Sequence, residues 1–267
     1  MRKNMLMKLI LLLTAVCILL PVLLLLVWSL TGRWPWPGLL PETYSLRTIK
    51  ELFFGSAKLP KLLLSSVSLA AVVAVLSTLI AVLTARATEL YDIPMKRLVH
   101  FGALLPLLIP GTVFAMGIQI TLIRLGLSDT LAGVVLVHLV AALPYSITIM
   151  TDVTAAVGSK LEEQAAVLGA APVRAFLTGS LPQLLPAMLS SISMAFILSY
   201  SQYFTTLMVG GGRVKTIALV LVPYIQSGDR ALASVYAVTF VFSALIIFAI
   251  FEWLIHKLGK GGSRHEA

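Results

Sequence analysis

The stretch that organises this chain is LEEQAAVLGAAPVRAFLTGSLPQLLP, residues 161–186. It carries charge within a helical pattern, yet it lies between two strongly apolar segments. Ser159 stands three residues before Glu162, a spacing that predicts a capping box at the start of a helix. Leu161 and Ala165 then recur at helical spacing and predict one small, apolar helix face. A helix is therefore expected to begin at this point of the chain.

A glycine and two prolines divide this stretch. Gly169 is expected to end the helix, because glycine adopts the left-handed conformation of a helix C-terminus without steric cost. Pro172 is expected to open a second short helix, since proline suits the first helical position. Pro182 marks the start of the next apolar segment. The pattern predicts a helix–turn–helix that covers about residues 155–182 and lies outside the bilayer, between two membrane helices.

The composition of the chain excludes a soluble protein. Of its 267 residues, 59% are hydrophobic and 12% are charged, and the mean hydropathy is +0.99. A soluble domain carries about 25% charged residues, so the bilayer is expected to be the solvent. The formal charge of +9 is typical of basic loops near anionic lipid headgroups, and no dense basic run indicates nucleic-acid binding. Cys17 is the single cysteine and can form neither an internal disulfide nor a zinc site.

The apolar segments predict an all-α membrane protein with six transmembrane helices in one domain, residues 1–267. The first helix is expected at about residues 9–30, uncleaved and with a basic N-terminus, and the core at about residues 62–255. Within the core, the spans are expected at about 62–85, 101–125, 130–151, 184–209 and 231–255.

Several local features refine this prediction. The third span contains Pro106 and Pro110 and is expected to be kinked. An interfacial belt of Trp28, Trp34 and Trp36 is expected at the far end of the first helix. The first outer loop, residues 32–61, is expected to contain a short surface helix, because Leu46, Ile49, Leu52 and Phe53 recur at helical spacing. Residues 213–230 are expected to form another outer loop.

The distribution of basic residues slightly favours cytoplasmic N- and C-termini, an orientation that rests mainly on the family resemblance given below. In that orientation 11 of the 20 Lys and Arg residues lie inside and 9 lie outside. The basic start of the chain supports the same orientation, because positive charge is retained on the cytoplasmic side.

A polar run interrupts the fifth span at residues 199–206. Such a run indicates either the lining of a wet pathway or hydrogen bonds between helices. Gln119 and Thr121 in the third span, and Ser146 and Thr148 in the fourth, are candidate partners. His138 in the fourth span is either a proton or ligand site or a packed, hydrogen-bonded structural group. The candidate pathway residues are Gln119, Ser199, Tyr200, Gln202, Tyr203 and Thr206.

Residues 161–186 resemble the cytoplasmic loop of type I ABC-importer permeases, the binding-protein-dependent transport permeases. The loop of that family reads Glu-Ala-Ala, three residues, Gly, nine residues, then Ile-x-Leu-Pro. Glu163, Gln164 and Ala165 take the first three places here, and Gly169 follows at the matching distance. This chain departs from the family pattern at Gln164, which replaces the first Ala, and at Gly179, which stands where Ile or Val is usual.

The resemblance implies that this loop forms the coupling helix that inserts into a separate P-loop ATPase. The residues that would carry the contact and its turn geometry are Glu163, Gln164, Ala165, Leu168, Gly169, Pro172, Leu181 and Pro182. The resemblance also implies a second permease, identical or different, an extracytoplasmic solute-binding protein and surrounding membrane lipid, in a bacterial inner membrane. ATP and Mg²⁺ would bind the partner ATPase, so no cofactor, metal or catalytic residue is expected on this chain.

Residues 205–234 resemble the polyamine, ferric-iron, thiamine and oxyanion branch of the same family, and polyamine is the expected solute. No acidic residue is found deep in a predicted span, so a cation would have to be held by dipoles, aromatic rings or a partner chain.

Two other classes of function are alternatives to an importer permease. An ion- or proton-coupled secondary transporter would need paired ionisable groups in the membrane, and His138 is the one available candidate. A membrane enzyme would need a catalytic constellation, and the sequence contains neither a P-loop nor a G-x-S-x-G or H-E-x-x-H motif.

Overall fold

The computed structural model describes residues 2–35, 38, 40–54 and 59–262. Trp36 lies outside the described residues. The chain divides into two units, residues 1–63 with 217–243 and residues 64–216 with 244–267. Five helices of the described chain are long and apolar enough to cross a membrane, and six if one bent pair counts as a single span.

The first unit begins with α1, Arg2–Ser29, whose apolar side chains are exposed from Met7 to Leu20. A hairpin follows, in which β1, Thr31–Arg33, pairs antiparallel with β2, Thr43–Tyr44. This hairpin was not predicted from the sequence. Trp28 and Trp34 stack at 4.4 Å between ring centroids.

The short surface helix of the first outer loop is present as α2, Arg47–Phe54, and its Leu52 side chain is buried. Residues 213–230 were predicted as a loop, and this prediction is wrong. They contain α11, Ile217–Ser227, because residues 217–222 are apolar and residues 217–219 are buried. The last helix is α12, Arg230–Gly262, which continues into the second unit.

The second unit is built on α3, Leu59–Leu90, and α6, Leu131–Val157, together with α9, Leu181–Tyr200. Ser77 and Ser146 hydrogen bond at 2.6 Å, and Thr78 and Ser191 at 2.8 Å, so buried hydroxyl groups join α3 to both neighbours. Small and hydroxylated residues allow membrane helices to approach closely. Ser146, a candidate partner of the polar run, therefore pairs with α3 instead.

The third predicted span is two helices instead of one kinked helix. They are α4, Lys96–Leu108, and α5, Gly111–Arg124, which meet at an angle of 108°. Pro110 has no backbone N–H to donate, and Ile109 before it is extended, with φ −97° and ψ 128°. Helical structure covers residues 86–90 and 96–100, so that only residues 91–95 separate α3 from α4.

The fifth predicted span is also interrupted. α9 ends at Tyr200, and α10, Phe204–Gly210, begins after a break at residues 201–203. Gly211 and Gly212 have φ of +51° and +74°. They end α10, since glycine accepts this left-handed conformation. A Cβ atom at Gly211 would overlap the carboxylate of Asp129.

Candidate functional site

The predicted helix–turn–helix contains α7, Lys160–Val167, and α8, Pro172–Ala175. The sequence predicted a separate short helix here, but α8 is not separate. It continues through a π-helical segment, Phe176–Ser180, directly into α9. The predicted capping box is also wrong: Ser159 makes no cap bond to the backbone and donates to the carboxylate of Glu163.

A Schellman turn ends α7. The Gly169 N–H donates to the carbonyl of Ala166 at 2.9 Å, and the Ala170 N–H donates to the carbonyl of Ala165 at 3.0 Å. Gly169 has φ +86°, a conformation that strains any residue with a Cβ. The turn reverses the chain before Pro172, which begins α8. The predicted helix end at Gly169 is therefore confirmed.

The tip of this turn presents apolar side chains to the outside. Val167 and Leu168 are both 88% exposed, Val173 is 71% exposed and Leu177 is 50% exposed. A cluster of large exposed apolar side chains in a polar surrounding marks a contact surface. The other residues predicted to carry ATPase contact divide between exposed and half-buried positions: Glu163, Gln164, Gly169, Pro172 and Pro182 are exposed, and Ala165 and Leu181 are half-buried.

The two adjacent carboxylates of α7 have different environments. Glu163 is exposed. Glu162 is part-buried and accepts hydrogen bonds from Arg86 Nη1 at 2.6 Å, from Arg86 Nη2 at 2.9 Å and from Ser180 Oγ at 2.5 Å. The hydrogen bonds from Arg86 hold the pKa of the Glu162 carboxyl below its ordinary value, against the opposing effect of burial. Arg86 and Ser180 were not predicted as partners of Glu162, because they are distant from it in the chain.

His138 forms a buried polar network in the same unit. Its side chain is 1% exposed, with Nδ1 at 2.8 Å from Ser199 Oγ and Nε2 at 2.9 Å from Thr206 Oγ1. Thr206 Oγ1 donates its proton to the carbonyl of Gln202. Because its single proton is used there, the Thr206 oxygen must accept a hydrogen bond from His138, so Nε2 carries the proton. Nδ1 then accepts a hydrogen bond from Ser199 Oγ. The structure places Ser199 and Thr206 in bonds between helices.

The remaining predicted pathway residues lie around α10. Gln119 donates to the carbonyl of Met208 at 3.0 Å and so joins α5 to α10. Tyr200 is buried and stacks on Phe196 with 5.5 Å between ring centroids. Gln202 and Tyr203 are half-buried at the break between α9 and α10. Gln202 Oε1 accepts from Thr205.

A cavity of about 470 Å³ lies where the two helix breaks meet. The α4–α5 break contributes Gly111 and Thr112, the α9–α10 break contributes Gln202 and Thr205, and α6 contributes Tyr145. None of the described residues that line it is charged. Irregular backbone at membrane depth is tolerated where it lines such a cavity. Gln202 is the predicted pathway residue that reaches it, and Tyr145, next to Pro144, is one that the sequence analysis did not select.

Residues 77–261 match the family described as the binding-protein-dependent transport system inner membrane component. The chain belongs to that family. This permease is 30% identical over 166 residues to a molybdate/tungstate transport system permease protein of Thermococcus kodakarensis, covering 62% of this chain and 66% of the relative. It is 24% identical over 243 residues to a permease protein assigned to 2-aminoethylphosphonate transport in Salmonella typhimurium, covering 90% of each chain.

Structural comparison shows the fold. One chain of a bacterial ABC transporter involved in the import of the acidic polysaccharide alginate matches this permease with a TM-score of 0.73. The identity is 17%, and the match covers 94% of this permease and 95% of that chain. The predicted resemblance to ABC-importer permeases and the all-α membrane fold are confirmed.

Proposed function

We propose that this permease is the membrane subunit of an ATP-driven importer for a small oxyanion or organophosphonate, in a bacterial inner membrane with both termini cytoplasmic. The observation that carries the proposal is the α7–α8 turn, whose large apolar side chains point outward although the turn is held rigidly by Gly169 and Pro172. A turn with this surface suits insertion into a partner protein. The proposed partner is a P-loop ATPase, which would bind ATP and Mg²⁺.

The remaining partners follow from the family. They are a second permease, identical or different, and an extracytoplasmic binding protein that delivers the solute. The coupling contact is assigned to Glu163, Gln164, Leu168 and Gly169, with Ala165, Pro172, Leu181 and Pro182 holding its geometry. Two copies of the ATPase would then drive two permease chains between inward- and outward-facing states.

The proposed class of solute has two supports. The relatives described above are assigned to molybdate, tungstate and 2-aminoethylphosphonate, and another, 26% identical over 204 residues, is a permease assigned to sulfate in Nephroselmis olivacea. The cavity at the two helix breaks is lined by residues that include Thr112, Tyr145 and Gln202, whose side chains carry hydroxyl and amide groups, and by no acidic residue among those described. Neutral donors suit an oxyanion better than a polyamine, which would need compensating negative charge.

The pathway is assigned to this cavity, with Gln202 as its central polar group. Of the other predicted pathway residues, Gln119, Ser199 and Thr206 would support it by holding α5, α6, α9 and α10 together. Tyr200 and Tyr203 lie at the break between α9 and α10 that borders it.

The test is to purify the permease in mild detergent from its native host and to identify its partners by mass spectrometry. We expect a stoichiometric P-loop ATPase that is lost when Leu168 is replaced with Asp. The complex, reconstituted with its binding protein, is then assayed for uptake of sulfate, molybdate, 2-aminoethylphosphonate and spermidine.

ATP-dependent uptake of an anion would support the proposal, and uptake of spermidine would return the solute to the polyamine expected from the sequence. A permease that purifies alone and transports without ATP would instead be a secondary transporter, with His138 as the next residue to replace.

A further inference from the structure

α7 has too few residues to hold its own orientation. It contains 8 residues, and helices of this length are marginal in water without tertiary contacts. Its outer tip is exposed at Val167 and Leu168. Its position must therefore be set by contacts on its inner side, which are made by Leu161 and Glu162.

Both oxygens of the Glu162 carboxylate are occupied by groups of the same unit. Arg86, near the end of α3, binds them as a planar, two-pronged pair, and Ser180, in the π-helical segment, donates a third hydrogen bond. The side chains of Arg86 and Glu162 are 17% and 18% exposed. The Arg86 guanidinium also stacks over the ring of Phe176 with its Cζ atom 4.3 Å from the centroid. Glu162 thus joins α7 to α3 and to the π-helical segment at once.

Gly179 allows α7 to lie directly on the π-helical segment. A Cβ atom at position 179 would be 3.3 Å from Leu161 Cβ and 3.4 Å from the carbonyl carbon and oxygen of Leu161. The Cβ atom of the Ile or Val that is usual in the family would therefore be held tightly against Leu161, which would have to shift by a few tenths of an ångström. The glycine at position 179, where this chain departs from the family pattern, therefore permits the close contact with Leu161.

The contact extends into the packed interior. Phe176 packs against an apolar cluster that contains Val82 and Ala85 of α3, Met150 of α6 and Leu184 and Ala187 of α9. Closely packed side chains transmit displacement, because a packed protein interior has low compressibility. A force on α7 would pass through the ion pair and this cluster to three membrane helices.

We propose that Arg86, Glu162, Phe176, Gly179 and Ser180 form a latch that makes α7 move as one body with α3 and α9. Arg86 and Glu162 are then positioning residues: they act through α7 and touch neither solute nor ATPase. This inference rests on the proposed function. It assigns the two adjacent acids to different tasks, with Glu163 in the contact to the ATPase and Glu162 in the transmission of its motion.

The experiment uses the reconstituted complex of permease, ATPase and binding protein. ATP hydrolysis and solute uptake are measured in the same proteoliposomes for Glu162→Gln, Arg86→Lys and the exchanged pair Arg86→Glu/Glu162→Arg. Glu42→Gln is the matched control, because Glu42 pairs with Arg33 at 3.6 Å with both side chains largely exposed. We expect solute transported per ATP hydrolysed to fall about fivefold or more in Glu162→Gln, a typical size for a coupling effect.

The ATPase subunit should remain bound to the Glu162→Gln permease. The exchanged pair should recover part of the solute transported per ATP hydrolysed, and the control Glu42→Gln should leave this quantity unchanged. Arg86→Lys should be intermediate, since lysine keeps the charge and loses the two-pronged geometry.

Hydrogen–deuterium exchange of residues 161–168 gives a second readout that needs no transport. The latch predicts faster exchange there in Glu162→Gln, and Ser180→Ala serves as a milder variant if Glu162→Gln does not fold. Unchanged exchange and an unchanged transport ratio would overturn the latch. A wild-type complex without ATP-coupled uptake would instead overturn the proposed function, and the exchange measurement would still decide whether α7 is latched.

Discussion

The guanidinium of Arg86 and the carboxylate of Glu162 form a two-pronged ion pair, at 2.6 and 2.9 Å, across 76 positions of the chain. Pairs of this geometry are stronger and more specific in direction than single contacts. Its burial is partial, so salt and solvent weaken it less than a surface pair. The pair joins the end of a membrane helix to the helix whose tip is exposed for a partner.

The stability of this permease should fall in acid because of Glu162. Its folded pKa is lowered, first by the hydrogen bonds from Arg86. The contribution is therefore complete above the pKa of an unfolded glutamate, about 4.3, and is lost as the pH falls through the lower folded value. The thermal unfolding midpoint in detergent should drop over this acidic range. The drop should be smaller in Glu162→Gln, and equal drops in both proteins would contradict the prediction.

Replacement of Gly169 with Val should impair coupling by straining the turn. Nothing lies within 4 Å of a Cβ at this position, so the cost comes from the backbone at φ +86° and amounts to about 1–2 kcal/mol. Relief of that strain would redirect the Leu168 tip. We expect uptake per ATP to fall while the permease still inserts in the membrane. Gly169→Asn is the matched control, because asparagine tolerates the left-handed conformation. Normal uptake in Gly169→Val would count against the coupling role of this turn.

Replacement of Gly179 with Ile, which restores the usual family residue, should harm this chain. The new side chain would meet Leu161, whose backbone cannot yield without moving α7. Overpacking of this kind costs about 1–3 kcal/mol. We expect a lower unfolding temperature and less solute transported per ATP hydrolysed. The contacted atoms of Leu161 are its Cβ and its backbone carbonyl, so Leu161→Ala in the same chain should not restore either quantity. An Ile variant that matches the wild type would mean that α7 is not held closely at this point.

Replacement of His138 with Ala should destabilise the second unit. Ser199 Oγ would lose its buried partner Nδ1, at about 1–3 kcal/mol for a buried group left unsatisfied. Thr206 Oγ1 would lose the imidazole but keep its hydrogen bond to the Gln202 carbonyl. The measurement is thermal unfolding together with uptake, and Thr148→Ala is the control, because the Thr148 hydroxyl bonds within its own helix. Wild-type stability with abolished uptake in His138→Ala would indicate a role of the imidazole in transport instead.

Replacement of Leu168 with Asp should abolish ATPase binding without unfolding the permease. The side chain is 88% exposed, so its loss removes little internal packing. Leu184→Ala provides the contrast, because Leu184 is 1% exposed and its truncation should cost about 2–5 kcal/mol of stability. ATPase retention is measured by co-purification at equal membrane levels of the two variants. If the ATPase still co-purifies with the Leu168→Asp permease, this tip is not part of the contact surface.

Local sequence was sufficient for the features that depend on neighbouring residues. Apolar length predicts membrane helices because every backbone polar group must be paired within the bilayer. Gly169 ends α7 and Gly211 ends α10, because glycine accepts positive φ without a clash. The spacing of Glu163, Gln164 and Ala165 to Gly169 indicated the permease family, and residues 77–261 match it.

The tertiary structure decided which partners those residues meet. The sequence does not distinguish Glu162 from Glu163, and only the position of Arg86 makes one an internal anchor and leaves the other exposed. Proline predicts a disturbed third span, but the angle of 108° depends on what packs beside it. The sequence allows His138 to be either a ligand site or a structural group. In the structure both ring nitrogens hydrogen bond to side chains of other helices, Ser199 and Thr206. The physical reason is separation along the chain. Helical periodicity and helix propensity depend on residues a few positions apart, whereas these pairings join distant residues that only the packing of whole helices brings together.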